Sequence, residues 1–220
     1  YFMINLLFSN PLSFIFYAGS LLIAITIHEA SHAWMADRLG DPTARLQGRI
    51  SLNPLVHLDL FGTVFLLMFG FGWGKPVEFD PFNLKNPRKD AALIALAGPT
   101  SNMILAITLS IVLYLLTFLH LYNIFVIGSI FCIPLIMMNV TLGLFNLIPI
   151  HPLDGFNIVA GFLPKKQSYE WEGLRRWGMF FLLALIIPIG SGSMLDMVLR
   201  HLVNMVINLL IPIGKSTGVL

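Results

Sequence analysis

AALIALAGPTSNMILAITLSIVLYLLTFLHLYNIFVIGSIFCIPLIMMNVTLGLFNLIPIHPL, residues 91–153, decides the fold, because these 63 residues contain no Asp, Glu, Lys or Arg. An ionised side chain at mid-bilayer costs several kcal/mol, so charge-free runs mark membrane spans. About 20 residues, at 1.5 Å each, cross ~30 Å of hydrocarbon. The run therefore holds two spans, 91–117 and 124–148, joined by a turn near His120 to Asn123. Outward from it lie further gaps at 1–28, 60–74, 177–195 and 201–214. The first supplies a span over 12–38 that runs into charged residues. A short helix is expected over 154–163, and C-terminal helices over 168–213 are broken at Gly190-Ser191-Gly192-Ser193.

Composition agrees with this reading. Of 220 residues, 57% are hydrophobic and 11% charged, with a mean hydropathy of +0.83. A soluble domain carries about 25% charged residues, so a water-facing globule is excluded. The net charge of +2 provides no field suited to nucleic acid. A single cysteine, Cys132, excludes an intrachain disulfide framework and a cysteine-based zinc cluster.

The gap 60–74 has 15 residues and four glycines, which is short for a crossing. Its flanks carry Arg38, Arg45 and Arg49 on one side and Lys75, Lys85, Arg88 and Lys89 on the other. The positive-inside rule puts both flanks on one cytoplasmic face, which a re-entrant hairpin satisfies and a single crossing does not. The segment 48–80 is thus expected to re-enter, with a strand-like stretch from Lys75 to Phe79. Residues 1–11 then lie outside, and Lys165, Lys166, Arg175 and Arg176 return to the cytoplasm. Arg200 falls near the outer side, an exception to the charge rule. Tyr169, Trp171 and Trp177 suit an interfacial helix over 165–176. The expected fold is an all-α polytopic membrane protein. Its single domain, 1–220, is a helical bundle of about five spans plus a re-entrant, partly β-like hydrophobic segment.

The span 12–38 contains His28-Glu29-Ala30-Ser31-His32, an H-E-x-x-H motif. Helix positions four apart differ by about 40° around the axis, so His28 and His32 share a face and can hold one zinc ion. Glu29, about 100° round from His28, is placed to act as general base on a water. With six His and four Glu in the chain, chance predicts about 0.003 such matches. Polar groups merely hydrogen-bonded inside the helix are the bland alternative, but an unpaired carboxylate among Leu21, Leu22, Ile23, Ala24, Ile25 and Ile27 is costly.

A catalytic zinc takes three protein ligands and keeps one open position. Asp154 fits best as the third, since it ends the long charge-free run just after Pro149 and Pro152. The alternative is that it only caps the following helix, worth about 1 kcal/mol. His151 and His57 are rival ligands. His57 with Asp59 could also support the zinc site or cap a loop.

At this point the chain resembles the site-2 protease family of intramembrane zinc metalloproteases. The resemblance rests on three motifs in order: His28 to His32, Ala97-Gly98-Pro99-Thr100-Ser101-Asn102, and Asn146 to Gly155 around Leu153-Asp154-Gly155. It is closest to short bacterial-type members without PDZ or CBS domain. It implies one zinc per chain on His28, His32 and Asp154, with Glu29 as catalytic base. It further implies that Asn146, together with Asn102 on the helix facing the active site, positions substrate or stabilises the oxyanion. The implied substrates are transmembrane segments of single-span membrane proteins within the lipid bilayer. The implied location is the bacterial plasma membrane, with the active site toward the cytoplasm.

A substrate helix must unwind before attack, and Lys75–Phe79 is a plausible edge for it to pair with. Proline at Val77 should then slow cleavage without loss of zinc. A prenyl-protein-type membrane zinc protease would need a later intramembrane Glu, yet Glu78, Glu170 and Glu172 lie outside the spans. A membrane metal transporter using the His/Glu/Asp cluster should show more polar groups along a path, or internal repeats. Neither is visible.

Overall fold

The computed structural model describes residues 2–69, 72–187 and 193–212. Asn10 accepts a hydrogen bond from the Ser13 amide and Pro11 opens the first long helix, so α2 (Pro11–Arg38) follows a short α1 (Phe2–Ser9) directly. After α3 (Thr43–Leu46) and α4 (Leu60–Phe69) come the two helices of the long charge-free run, α5 (Pro87–Phe118) and α6 (Tyr122–Asn146). Four shorter helices follow: α7 (Asp154–Phe162), α8 (Lys165–Glu172), α9 (Arg175–Ile186) and α10 (Met194–Leu210). Among the described residues, α2, α5 and α6 are the helices long and apolar enough to cross a membrane, with 28, 32 and 25 residues. Two of the five expected spans are shorter, since α9 has 12 residues and α10 has 17, about 18 and 26 Å. The expected break at Gly190 to Ser193 falls mostly on 190–192, outside the described residues.

Lipid tails are as apolar as leucine, so helices in a bilayer associate through close packing and hydrogen bonds. The buried face of α2 is a stripe at every fourth position: Ser20, Ala24, His28, His32 and Ala36. Opposite it, α5 buries Ala95, Gly98, Asn102, Ala106 and Ser110, and α6 buries Asn139, Val140 and Gly143. Small side chains let the backbones approach. The outer faces show Ile104, Ile107, Ile111 and Leu115 on α5 and Val126, Ile127, Ile130 and Phe131 on α6. Such exposure suits lipid and not water.

The segment between α3 and α5 is drawn together at Leu58 and Gly74. Its helix, α4, has 10 residues, about 15 Å or half the hydrocarbon thickness. Leu58 and Gly74 form an antiparallel bridge, and the Lys75 amide donates to the His57 carbonyl at 2.8 Å. The strand-like expectation shrinks to this bridge for two reasons. Pro76 has no amide hydrogen to continue a ladder, and Asp59 already caps α4 by accepting from the Gly62 amide at 2.7 Å.

Trp171 is not the lipid anchor expected of it. Its indole donates to the Phe156 carbonyl at 3.0 Å and stacks on the Phe156 ring, docking α8 against α7. Tyr169 and Trp177 stay exposed. Arg88 donates to the Leu163 carbonyl at 2.8 Å, so the basic residues around 85–89 and 163–166 share one end of the bundle. Asp41 lies at that end too, fully buried, accepting from Thr43, Asn83 and the Asp80 amide.

Candidate metal centre

One turn of α2 and the first residue of α7 meet at a single point. The Nε2 atoms of His28 and His32 lie 3.0 and 3.3 Å from Asp154 Oδ2. Donors about 2.05 Å from a tetrahedral zinc stand roughly 3.3 Å apart, so both imidazole-to-carboxylate pairs have the spacing of a zinc site. Among the described residues this is the group of acidic, histidine or cysteine side chains able to share a metal ion. His57 and His151, the rival ligands, are not part of it.

The protonation pattern strengthens the fit. His28 Nδ1 faces Asn102 Oδ1 at 2.7 Å, and His32 Nδ1 faces the Ile94 carbonyl at 2.7 Å. Both partners only accept, so each imidazole carries a proton on Nδ1, which makes Nε2, turned toward Asp154, the ligating nitrogen. Each Nε2 thus stands within ion-pair distance of one buried carboxylate oxygen. Two imidazole nitrogens and a carboxylate oxygen converging in the interior form a donor set suited to a divalent cation. Nor does Asp154 act as a cap: α7 has no side-chain cap hydrogen bond, and its N-cap residue is Leu153.

Two glycines make the convergence possible. A Cβ at Gly98 would stand 2.5 Å from His32 Nε2 and 2.7 Å from His28 Cε1, so α5 reaches the imidazoles only with bare backbone. A Cβ at Gly155 would stand 2.3 Å from the Leu147 carbonyl oxygen, so the loop that delivers Asp154 packs on the start of α7.

Glu29 lies beside the cluster with 15% of its side chain exposed, close to Gly74 on the returning segment. Its Oε2 is 3.9 Å from Arg49 Nη2. Arg49 is buried and donates to the Val56 and Lys75 carbonyls, tying both arms of the excursion over Glu29. Burial pushes the Arg49 guanidinium below its ordinary range, with Glu29 and Glu78 opposing. The sequence showed Arg49 only as part of a basic flank. Its position five residues after a buried turn carried no signal of a partner in α2.

The two asparagines part ways. Asn102 does not face substrate: it is fully buried behind His28, and its nitrogen donates to the Ala24 carbonyl and to Asn139. Asn146 ends α6 and donates one amide hydrogen to the Leu142 carbonyl, which leaves the second hydrogen and the oxygen without a partner among the described residues. His57 is fully buried and donates through Nε2 to the Ser51 carbonyl. His151 packs edge-on against Phe156, and burial together with Arg175 pushes its imidazole below the ordinary range, with Glu172 opposing.

The model of peptidase family M50 matches residues 16–130, more than half of the chain and inclusive of the H-E-x-x-H helix. The chain belongs to peptidase family M50. Among its relatives, YwhC of Bacillus subtilis is 38% identical over 179 residues, covering 78% of this chain and 80% of YwhC. Rip2 of Mycobacterium tuberculosis is 28% identical over 181 residues, covering 79% of this chain and 67% of Rip2. MJ0392 of Methanocaldococcus jannaschii is 26% identical over 149 residues, covering 68% of this chain and 34% of MJ0392. The names of all three contain the words zinc metalloprotease. No solved structure matches. As an M50 member with three apolar helices of spanning length, the chain is a membrane-embedded peptidase.

Proposed function

We propose that the chain hydrolyses peptide bonds in transmembrane segments of single-span proteins, with zinc on His28, His32 and Asp154 and with Glu29 as base. The observation that carries this reading is the meeting of two imidazole nitrogens and one carboxylate oxygen at a single point, with N to O separations of 3.0 and 3.3 Å. As an M50 member the chain is a zinc-dependent metalloprotease, and its substrates are membrane proteins in the bilayer.

Bound zinc supplies Lewis acidity at the scissile carbonyl and brings the acidity of water into the neutral range. The protein's own groups do the rest. Glu29 accepts a proton from the attacking water and delivers it to the leaving nitrogen. Arg49 fixes the Glu29 carboxylate from one side. Asn146, with an unused amide hydrogen, is the proposed donor to the carbonyl oxygen as it becomes negative. The extended Lys75–Phe79, beside Gly74, is the proposed edge for an unwound substrate. The active site faces the cytoplasm of a bacterial plasma membrane in this reading, because the basic segments after α2, before α5 and after α7 gather at one end of the bundle.

Co-expression with tagged single-span membrane proteins tests the proposal. The wild type yields a shortened product, whereas Glu29→Gln reduces it about 10³-fold and retains zinc. Unchanged cleavage by Glu29→Gln removes Glu29 from the mechanism, and a wild type without zinc removes the metal site.

A further inference from the structure

We propose that Asn139, in the middle of α6, is a positioning residue for the metal site that acts through Asn102 on His28; the inference rests on the metal-binding reading above. Four groups stand in line: the Leu135 carbonyl, the Asn139 amide, the Asn102 amide and the His28 imidazole. The successive separations are 2.8, 2.7 and 2.7 Å.

The polarity of each link follows from the one before it. A backbone carbonyl only accepts, so Asn139 turns its nitrogen to Leu135 and its oxygen to Asn102. That oxygen also only accepts, so Asn102 turns its nitrogen to Asn139, with the other hydrogen on the Ala24 carbonyl at 3.0 Å. Only the Asn102 oxygen is left for His28. It demands a proton on Nδ1 and so makes Nε2 the nitrogen that can ligate beside Asp154. A reversed Asn102 amide would offer N–H to Nδ1, drive the imidazole proton onto Nε2 and block ligation there.

His32 shows why the relay is needed. Its proton position is set directly by a backbone carbonyl, that of Ile94, which cannot rotate. His28 faces a side-chain amide, which can. Asn139 and the Ala24 carbonyl together deny it that rotation.

Both asparagines are fully buried, so a simple role as glue between helices is the competing account. Glue predicts a loss of stability alone. The relay predicts a change in zinc affinity and in the His28 tautomer. Apolar packing already joins the two helices nearby, where Gly143 of α6 lies against Asn102 and Pro99.

The test uses the full chain, purified in detergent and stripped of metal. Zinc affinity is measured by competition with a fluorescent chelator, and the His28 tautomer by 15N-histidine NMR, assigned by loss of its signal in His28→Gln. Wild type should show His28 protonated on Nδ1. Asn139→Leu should bind zinc about tenfold more weakly and show mixed tautomers. Asn139→Asp in its neutral acid form offers a carbonyl to Asn102 and an O–H to Leu135, and should restore both. Equal affinity and tautomer in wild type and Asn139→Leu overturn the relay while leaving the metal site intact. A wild type that binds no zinc overturns the metal reading itself. If Asn139→Leu fails to fold, the wild-type spectrum and Asn139→Asp decide: His28 protonated on Nε2, or weak zinc binding by Asn139→Asp, refutes the relay.

Discussion

The two ends of the α2–α5–α6 bundle are joined by opposite means. Around the metal site, the contacts between helices include His28 to Asn102, His32 to the Ile94 carbonyl, and Asn102 to the Ala24 carbonyl and Asn139. Immediately beyond Asn102 and Asn139, and running toward the far end, Ala106, Leu113, Ile136 and Val140 pack with Ile207 and Ile211 of the α10 region. In lipid, exchanging an apolar contact for an acyl chain changes little, whereas a buried amide or carboxylate without a partner costs several kcal/mol. Chemistry is thus fixed at one end by direction, and structure is held at the other by shape.

Asp154→Asn tests that contrast most severely. It replaces the anionic carboxylate ligand by a neutral amide, so zinc affinity should fall at least about 100-fold and hydrolysis should stop. Zinc-to-protein ratio and helical circular dichroism check both halves of this expectation, since the bundle should survive. Gly98→Ala comes next. Its Cβ would press on both imidazoles, and zinc should bind about 10- to 100-fold more weakly with little change in the unfolding midpoint. At the other end, Ile136→Ala should lower stability by about 2–4 kcal/mol and leave the zinc dissociation constant within about twofold. An equal shift in zinc affinity from Ile136→Ala would show that the two ends are one unit.

The smallest effect concerns Asp41 at the basic end of the bundle. Burial alone would raise its pKa, but hydrogen bonds from Thr43, Asn83 and Asp80 outweigh it and hold the carboxyl below its ordinary 3.8. A depressed folded value means that the stabilisation is complete above the unfolded value and is lost as pH falls through the folded one. The unfolding midpoint should therefore drop below about pH 4, and Asp41→Asn should flatten that drop.

The spans α2, α5 and α6 were legible because charge is expelled from a bilayer so strongly that its absence marks a helix. His28, Glu29 and His32 were legible because one helical turn fixes their spacing. Asp154 could be ranked first because a lone carboxylate follows a long charge-free run. Asn139 escaped notice, although the same reasoning applies: an amide inside a span needs a partner as a carboxylate does. The sequence position of Asn102 marks the face of α5 but not that its amide meets His28, the Ala24 carbonyl and Asn139. Trp171 looked like a lipid anchor because composition cannot say that Phe156 lies within reach.

The coordination set draws on α2 and on the start of α7, so an ion there ties position 32 to position 154. Such a tie works by mass action: the ion binds the folded arrangement and not the unfolded chain, so its binding free energy adds to that of folding. The ion then contributes cohesion even when no peptide is being cut, and a chelator should loosen the idle protein as well as silence it.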